Sequence, residues 1–130
     1  TGGTDTDILE GGIGTDILTG DLGLSFGQAA DVFVFRSTAD SVNVPGQEDR
    51  ITDFQVGLDK IDLSGIDANA ATFADDAFRL VISGFGAGVV TTFQNAGNTF
   101  VEAHVNGDGI ADFVLRLDGL HSLSAADFIL

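Results

Sequence analysis

Apolar and polar residues alternate along much of the chain, and this pattern predicts a series of short β-strands. A side-chain period of two residues is typical of a strand with one buried face. The alternating stretches are DVFVFR (31–36), DRITDF (49–54), KIDLSGI (60–66), FRLVIS (78–83), VVTTF (89–93), NTFVEAHV (98–105) and ADFVLRL (111–117). NGDG at 106–109 predicts a hairpin turn between the last two stretches. A short helical turn is expected in residues 67–78.

The N-terminal stretch has a different pattern, in which a nine-residue phrase occurs twice in succession. GGTDTDILE (2–10) is followed by GGIGTDILT (11–19), so that Leu9 and Leu18 fall nine residues apart. A flexible Gly- and Asp-rich linker would not explain this regular leucine spacing. Repeats of this length are typical of a parallel β-roll, in which each turn binds a metal and each short strand buries one side chain. A third copy opens at 20–23 and is interrupted by an insertion.

The two patterns together predict an all-β chain of one domain. We expect a short parallel β-roll in residues 1–36 and an antiparallel, sandwich-like β cap in residues 37–130. A roll exposes unpaired strand edges at its end, and a cap of this kind would cover them. The length of 130 residues suits one domain, and 11 Phe with no Tyr or Trp predict a phenylalanine-rich core.

The charge of the chain narrows its possible partners. Twenty acidic residues stand against five basic ones, for a formal net charge of −15, and only Glu10, Glu48 and Glu102 are glutamates. Nucleic acid, anionic membranes and polyanionic polysaccharides are poor partners for such a chain, whereas divalent cations are favoured. No apolar run is long enough to predict a membrane span. The absence of Cys excludes disulfides and thiolate metal sites.

The glycine-rich turns have the chemistry of a calcium site. Glycine permits tight turns that direct successive carbonyls inward, and the following Asp adds a carboxylate oxygen. Two such turns would offer about six oxygen ligands, which suits calcium better than zinc, copper or magnesium. One coil of a roll takes two nonapeptides, so adjacent repeats lie on opposite sides and facing turns are 18 residues apart in an uninterrupted array.

No residue pattern predicts catalysis by this chain. His104 and His121 are its only histidines, and the sequence contains no HExxH motif and no Cys. HVNGDGIAD (104–112) is similar to a calcium-binding EF-hand loop. However, His104 stands where the first Asp belongs, and Leu115 stands where the bidentate Glu belongs. A plain hairpin turn is therefore the favoured interpretation, with an EF-like site as the alternative.

The nonapeptides resemble the RTX repeats of secreted Gram-negative proteins. Together with DVFVFRSTADS, DRITDFQVGLDKIDLSGIDA, HVNGDGIADFVLRLDG and SAADFIL, they make essentially the whole chain resemble the C-terminal calcium-binding domain of serralysin-type metalloproteases. The resemblance implies a secreted, extracellular module that folds on Ca²⁺ binding outside the cell. An upstream catalytic or adhesive domain would precede it. The segment DFIL (127–130) resembles the signal that type I secretion transporters read, although it could also simply close the core.

The resemblance also implies a set of calcium ligands. A first site would join one turn, at Gly3, Asp5 and Asp7, to a second turn. A second site would lie at Gly12, Gly14 and Asp16, with its partner turn near residues 29–40 and Asp40 as a substitute ligand. The remaining implied ligands are Gly20, Leu22 and Asp31 of the first site, and Asp49 or Asp53 of a further site. Asp5 stands where the repeat has glycine, and Asp tolerates left-handed backbone better than most residues.

An alternative function is that of a carbohydrate-binding or adhesive accessory module of a secreted enzyme or surface adhesin. A module that binds an acidic polysaccharide should carry a track of basic residues. The basic residues are scattered along the sequence, at Arg36, Arg50, Lys60, Arg79 and Arg116.

The parent protein would be a secreted metalloprotease or another extracellular hydrolase, lyase or epimerase.

Overall fold

The structure is a computed structural model that describes residues 1–21 and 28–130. Within these residues it contains ten β-strands and one short 3₁₀ helix, Ala125–Asp127. The strands are β1 (Ile8–Leu9), β2 (Ile17–Leu18), β3 (Val32–Val34), β4 (Asp49–Ile51), β5 (Lys60–Asp62), β6 (Arg79–Leu80), β7 (Val89–Asn95), β8 (Asn98–His104), β9 (Phe113–Asp118) and β10 (Phe128–Ile129). The predicted all-β class is confirmed.

The first five strands alternate between two sheets, as expected for a roll. One sheet has the order β1-β3-β5-β10, and all of its strand pairs are parallel. The strands β2 and β4 pair in parallel in the second sheet. Neighbouring repeats therefore lie on opposite sides of the roll. Leu9 and Leu18 point into the core, whereas Ile8 and Ile17, one residue earlier, are exposed.

The second sheet has six strands in the order β2-β4-β9-β8-β7-β6. The predicted hairpin of β8 and β9 is present, and β8 also pairs antiparallel with β7. However, β4 pairs in parallel with β9, and β10 pairs in parallel with β5. Parallel pairing thus extends beyond residue 36, at which the sequence analysis ended the roll. The strands β4 and β5 begin at or after an aspartate and alternate like the repeats, so they continue the coils.

The prediction of a helical turn in residues 67–78 is wrong. This segment consists of turns and bends, and the Asp67 carboxylate accepts hydrogen bonds from the backbone amides of Asn69 and Asp76. Such side-chain acceptors give the backbone an alternative to helical hydrogen bonds. In the described residues, no helix is long and apolar enough to cross a membrane.

The core lies between the two sheets and is rich in phenylalanine, as predicted. Phe35 and Phe113 are fully buried, and their rings meet edge to face with centroids 5.1 Å apart. The other buried phenylalanines are Phe33, Phe54, Phe78 and Phe128. Because the core joins strands of the roll to strands of the hairpins, both parts of the chain share one interior.

Candidate metal centre

The first repeat turn, residues 2–7, meets the turn at Gly20 and the carboxylate of Asp31. The backbone amide of Gly2 donates to the carbonyl of Thr19 at 2.8 Å. The amide of Asp7 donates to Asp31 Oδ1 at 2.9 Å. The structure thus brings together Gly3, Asp7, Gly20 and Asp31, the residues implied for the first site, although Asp7 and Asp31 are 24 residues apart in sequence.

The carboxylate of Asp31 is buried, and only one of its two oxygens has a hydrogen-bond partner among the described residues. The residue is 1% exposed, and its Oδ2 atom has no hydrogen-bond partner among the described residues. Burial raises the pKa of Asp31, and the negative charges of Asp21, Asp7 and Asp53 add to this effect. A buried carboxylate without a partner is costly, so this oxygen has the character of a cation ligand.

The glycines in these turns are required by the approach of the oxygens. A Cβ atom on Gly20 would lie 2.1 Å from Asp31 Oδ2. A Cβ atom on Gly2 would lie 2.4 Å from Asp7 Oδ2 and 2.5 Å from the carbonyl oxygen of Gly20. A carboxylate and a carbonyl oxygen therefore converge beside Gly2, in a space that any larger residue would fill.

Asp5 is exposed, and the backbone of its turn differs from that of the second repeat. In the second repeat, Gly12 and Gly14 have positive φ angles of 82° and 143°. Neither Gly3 nor Asp5, at the matching positions of the first repeat, has a positive φ. Asp5 therefore does not adopt the left-handed conformation, which its Cβ atom disfavours. Leu22, another implied ligand, lies outside the described residues.

The second repeat turn meets Asp49, not Asp40. The amide of Asp16 donates to Asp49 Oδ1 at 2.8 Å, and the Asp16 carboxylate lies against Gly11 and Gly14. Asp40 instead accepts hydrogen bonds from the two backbone amides at residues 36 and 37. The structure thus brings Asp49, one of the two residues implied for the further site, to the turn of the second site.

Asp49 is buried, and only one of its carboxylate oxygens has a partner among the residues described. Its side chain is 0% exposed, and its Oδ2 atom has no hydrogen-bond partner within the described part of the chain. Burial raises the pKa of Asp49 from 3.8 to about 6, and repulsion from Asp16 and Asp40 contributes in the same direction. A divalent cation would relieve both the desolvation and the repulsion.

Asp53 has a positioning role in the structure. Its two carboxylate oxygens accept hydrogen bonds from the amides of Gly20 and Asp21, at 2.9 and 2.8 Å. Both oxygens are engaged with backbone, so Asp53 holds the turn that faces Gly2.

Two buried aspartates at the first site escaped the sequence analysis. Asp21 is buried, and its Oδ1 atom has no partner among the described residues. Asp59 Oδ1 accepts from the Asp31 amide at 3.0 Å, which repeats the contact of Asp31 with Asp7. Burial raises the pKa of Asp59, and the charges of Asp31 and Asp53 add to it. Asp59 stands directly before an alternating stretch, as Asp31 nearly does, and this position could have identified it as a site residue.

The two clusters use the ligand types that calcium prefers. No three carboxylate or imidazole groups converge on one point within residues 1–21 and 28–130. Each cluster instead combines two repeat-position aspartates with a turn whose glycines leave room for backbone oxygens. Oxygen donors of this kind suit a hard cation of calcium size, and the orphaned oxygens of Asp31 and Asp49 fit such an ion.

The loop that is similar to an EF-hand is a hairpin turn with internal hydrogen bonds. Asn106 Oδ1 accepts from the amide of Asp108, and Asp108 Oδ1 accepts from the amide of Ile110. Asp112 accepts from the amide of Val105. Each of these side chains orders its own turn, which favours the plain hairpin.

The fold and the clusters define a class, the RTX-type β-roll module with calcium-binding repeats. The family model described as "Peptidase M10 serralysin C terminal" matches residues 3–130, and the chain therefore belongs to that family. Metallopeptidase AprA of Pseudomonas marginalis is 38% identical over 95 residues, which are 71% of this chain and 18% of AprA. The chain thus spans less than a fifth of that relative.

A solved structure supports the same fold. The AlgE6R2 subunit of the Azotobacter vinelandii mannuronan C5-epimerase superimposes with a TM-score of 0.59 at 25% sequence identity. The match covers 95% of this chain and 70% of that subunit. The chain is therefore similar both to the C-terminal, non-protease part of a metallopeptidase and to a repeat subunit of an epimerase.

Proposed function

We propose that this chain is a calcium-binding module that folds when it binds Ca²⁺ outside the cell and belongs to a larger secreted protein. The first site comprises Asp7 and Asp31 with backbone oxygens of the turns at Gly3 and Gly20, and Leu22 at the implied position. The second comprises Asp16 and Asp49 with the turn at Gly12 and Gly14. The parent protein is an extracellular enzyme, and this module does not itself catalyse a reaction.

The observation that carries this proposal is the pair of buried, half-satisfied carboxylates. In both Asp31 and Asp49, Oδ1 accepts a backbone amide while Oδ2 has no partner among the described residues. The protein has thus fixed the direction of each carboxylate and left one oxygen for another donor or ion. Their raised pKa values express the cost of this arrangement without a cation.

Calcium then couples binding to folding. An ion that binds only the folded state stabilises it by about 2.7 kcal/mol per site at roughly 100 times Kd, and by almost nothing far below Kd. Extracellular calcium modules bind with Kd values of about 10⁻⁴–10⁻³ M. At the low calcium concentration of a cytoplasm, the net charge of −15 opposes compaction. The chain would therefore remain exportable until it meets extracellular calcium.

Thermal unfolding tests this proposal directly. Circular dichroism melts of the 130-residue chain should shift upward by many degrees between EDTA and millimolar CaCl₂. The same concentration of MgCl₂ should produce a much smaller shift, because magnesium requires a tighter octahedral site. Identical melting curves in EDTA and in calcium would contradict the proposal.

The C-terminal segment 127–130 is proposed to carry the type I secretion signal. In the folded chain, Asp127 and Phe128 are buried, and β10 pairs with β5. A transporter could therefore read the segment only before folding. A passenger protein fused to the chain should be exported by a cell with a type I transporter, and Phe128→Asp should block export. Because folding could also fail in that variant, the control is export of a fusion carrying Phe113→Asp, which disrupts the core but keeps the segment and should still leave the cell.

A carbohydrate-binding role is the second candidate, and the likeness to the epimerase subunit favours it. Arg50 and Arg116 lie side by side on neighbouring strands, which their sequence positions did not indicate. However, both arginines contact Asp118, so they do not form an open basic track. Retention of the calcium-loaded chain on immobilised alginate, lost in Arg50→Ala but not in Arg79→Ala, would support this second role.

A further inference from the structure

The outer face of the six-stranded sheet carries a groove beside the loop at residues 43–48. A cavity of about 250 Å³ lies between this loop and the strands β7, β8 and β9. Its apolar lining comes from Val44, Pro45, Phe93, Phe100 and Val114. We call this site the aromatic groove.

Two phenylalanine rings form the floor of the aromatic groove. Phe93 and Phe100 are directly opposite each other on β7 and β8. Their rings are stacked, with centroids 5.2 Å apart and an interplanar angle of 10°. Phe93 is 42% exposed although most other phenylalanines of the chain belong to the core. A stacked pair with one open face offers the negative face of a π system to a ligand.

Two of the three glutamates in the chain line the same groove. Glu48 comes from the loop and Glu102 from β8, and both are half-buried. The third, Glu10, forms an ion pair with Arg36. The ion pairs among the described residues include neither Glu48 nor Glu102. Glu48 Oε2 accepts a hydrogen bond from the backbone amide of Gly46, so a cation in the groove would meet one carboxylate held by the loop and a second one on β8.

The arginines closest to the groove are already engaged. Arg50 and Arg116 line an adjoining cavity on the other side of the loop, together with Glu48. Arg50 donates to both carboxylate oxygens of Asp118, and Arg116 lies 3.6 Å from the same carboxylate. Arg116 is the register partner of Phe100, and the ion pairs that the two arginines form among the described residues include neither Glu48 nor Glu102.

We propose that the aromatic groove binds a basic, apolar peptide segment, with a lysine or arginine side chain placed over Phe93 between Glu48 and Glu102. Charge complementarity selects this occupant. A guanidinium or ammonium group would gain two carboxylate partners and an aromatic face, while its aliphatic stem covers the apolar lining. The net charge of −15 would accelerate the approach of such a segment and repel acidic ones. Neutral glycans would leave both carboxylates without a counter-charge.

Fluorescence anisotropy with two synthetic peptides tests this proposal. The probes are fluorescein-labelled Gly-Ser-Leu-Arg-Leu-Arg-Ser-Gly and the same peptide with citrulline in place of both arginines. They are titrated with the full chain at saturating calcium, where the fold is checked by circular dichroism. We expect saturable binding of the arginine peptide and at least about tenfold weaker binding of the citrulline peptide. Absence of binding, or equal binding of the two peptides, would overturn the proposal.

Matched variants distinguish the groove from general attraction to an acidic protein. Glu48→Gln combined with Glu102→Gln should weaken binding about tenfold, and Phe93→Ala should weaken it several-fold. Glu10→Gln removes a glutamate outside the groove and should leave the affinity unchanged. Equal weakening of peptide binding in Glu10→Gln would show that the attraction is non-specific and would contradict the proposal. Binding of a neutral oligosaccharide that competes with the peptide would also overturn the choice of ligand.

Discussion

Replacing Asp49 with asparagine separates the cost of its buried charge from its benefit to calcium binding. The pKa of Asp49 rises from 3.8 to about 6 on burial. This rise of the pKa corresponds to about 3 kcal/mol, because a tenfold change in a protonation constant is worth about 1.4 kcal/mol. Because the folded state holds the proton more tightly, the carboxylate lowers stability as pH rises between about 4 and 6, and the cost stays constant above that interval.

Asp49→Asn keeps the oxygen that accepts from the Asp16 amide and removes the charge. The new amide N–H group would occupy the position of the orphaned Oδ2 atom and cost about 1 kcal/mol. We therefore expect the calcium-free variant to be about 2 kcal/mol more stable than the wild type at pH 7. This corresponds to a rise in Tm of roughly 6 °C. The same variant should lose the calcium stabilisation of the second site, so that the wild type gains more from the ion.

The assay is a set of circular dichroism melts at pH 7 and pH 4.5, in EDTA and in CaCl₂. In EDTA the wild type should gain stability at pH 4.5, and the variant should show a smaller gain. If the wild type has no transition in EDTA at pH 7, the appearance of one in the variant is the same result. Asp108→Asn is the control, because it removes a charge from an exposed hairpin and keeps the acceptor for Ile110. A variant less stable than wild type in EDTA at pH 7, or one that gains as much from calcium, would refute the reasoning.

Three further predictions follow from the clusters and the core. Gly20→Ala should abolish much of the calcium-induced Tm shift, because its Cβ atom would lie 2.1 Å from Asp31 Oδ2, whereas Gly107→Ala, with open space around it, should not; equal calcium shifts would contradict this. Phe113→Ala should lower the free energy of unfolding by about 3–5 kcal/mol in calcium, measured by urea denaturation, because Phe113 is fully buried; a loss below about 1 kcal/mol would refute the shared core. Asp127→Ala removes the acceptor of three hydrogen bonds and should lower the free energy of unfolding by about 2–4 kcal/mol. Hydrogen exchange of the amides in β10 and β5 should become faster. An unchanged exchange pattern would show that β10 does not depend on Asp127.

Local patterns in the sequence were enough to predict several features of the structure. Alternation located β3, β4 and the hairpin strands, because the period of two is a property of the extended backbone itself. The repeat spacing placed Leu9 and Leu18 inward for the same reason. The turn at 106–109 followed from its Asn-Gly and Asp-Gly pairs, since glycine accepts the backbone angles that tight turns need.

The register between coils could not be predicted in this way. Asp16 faces Asp49, which is 33 residues away, whereas an uninterrupted array would place its partner 18 residues away. The local pattern does not specify how many residues a loop inserts between two coils, and loop length costs little free energy. Reasoning from the sequence therefore placed the partner turn of Asp16 near residues 29–40. It also did not identify Asp59, whose contact with Asp31 repeats the Asp7–Asp31 contact one coil further on.

The composition and repeats by themselves determined that this is an acidic, all-β chain with glycine–aspartate turns suited to calcium. These properties depend on backbone angles, side-chain period and charge, which are local or additive. Only the tertiary structure decided which carboxylates are buried with an oxygen that has no partner among the described residues, and that Glu48 and Glu102 line the same groove as the Phe93–Phe100 pair. Those groups come from distant strands, and their proximity arises from the pairing order of the two sheets around one core.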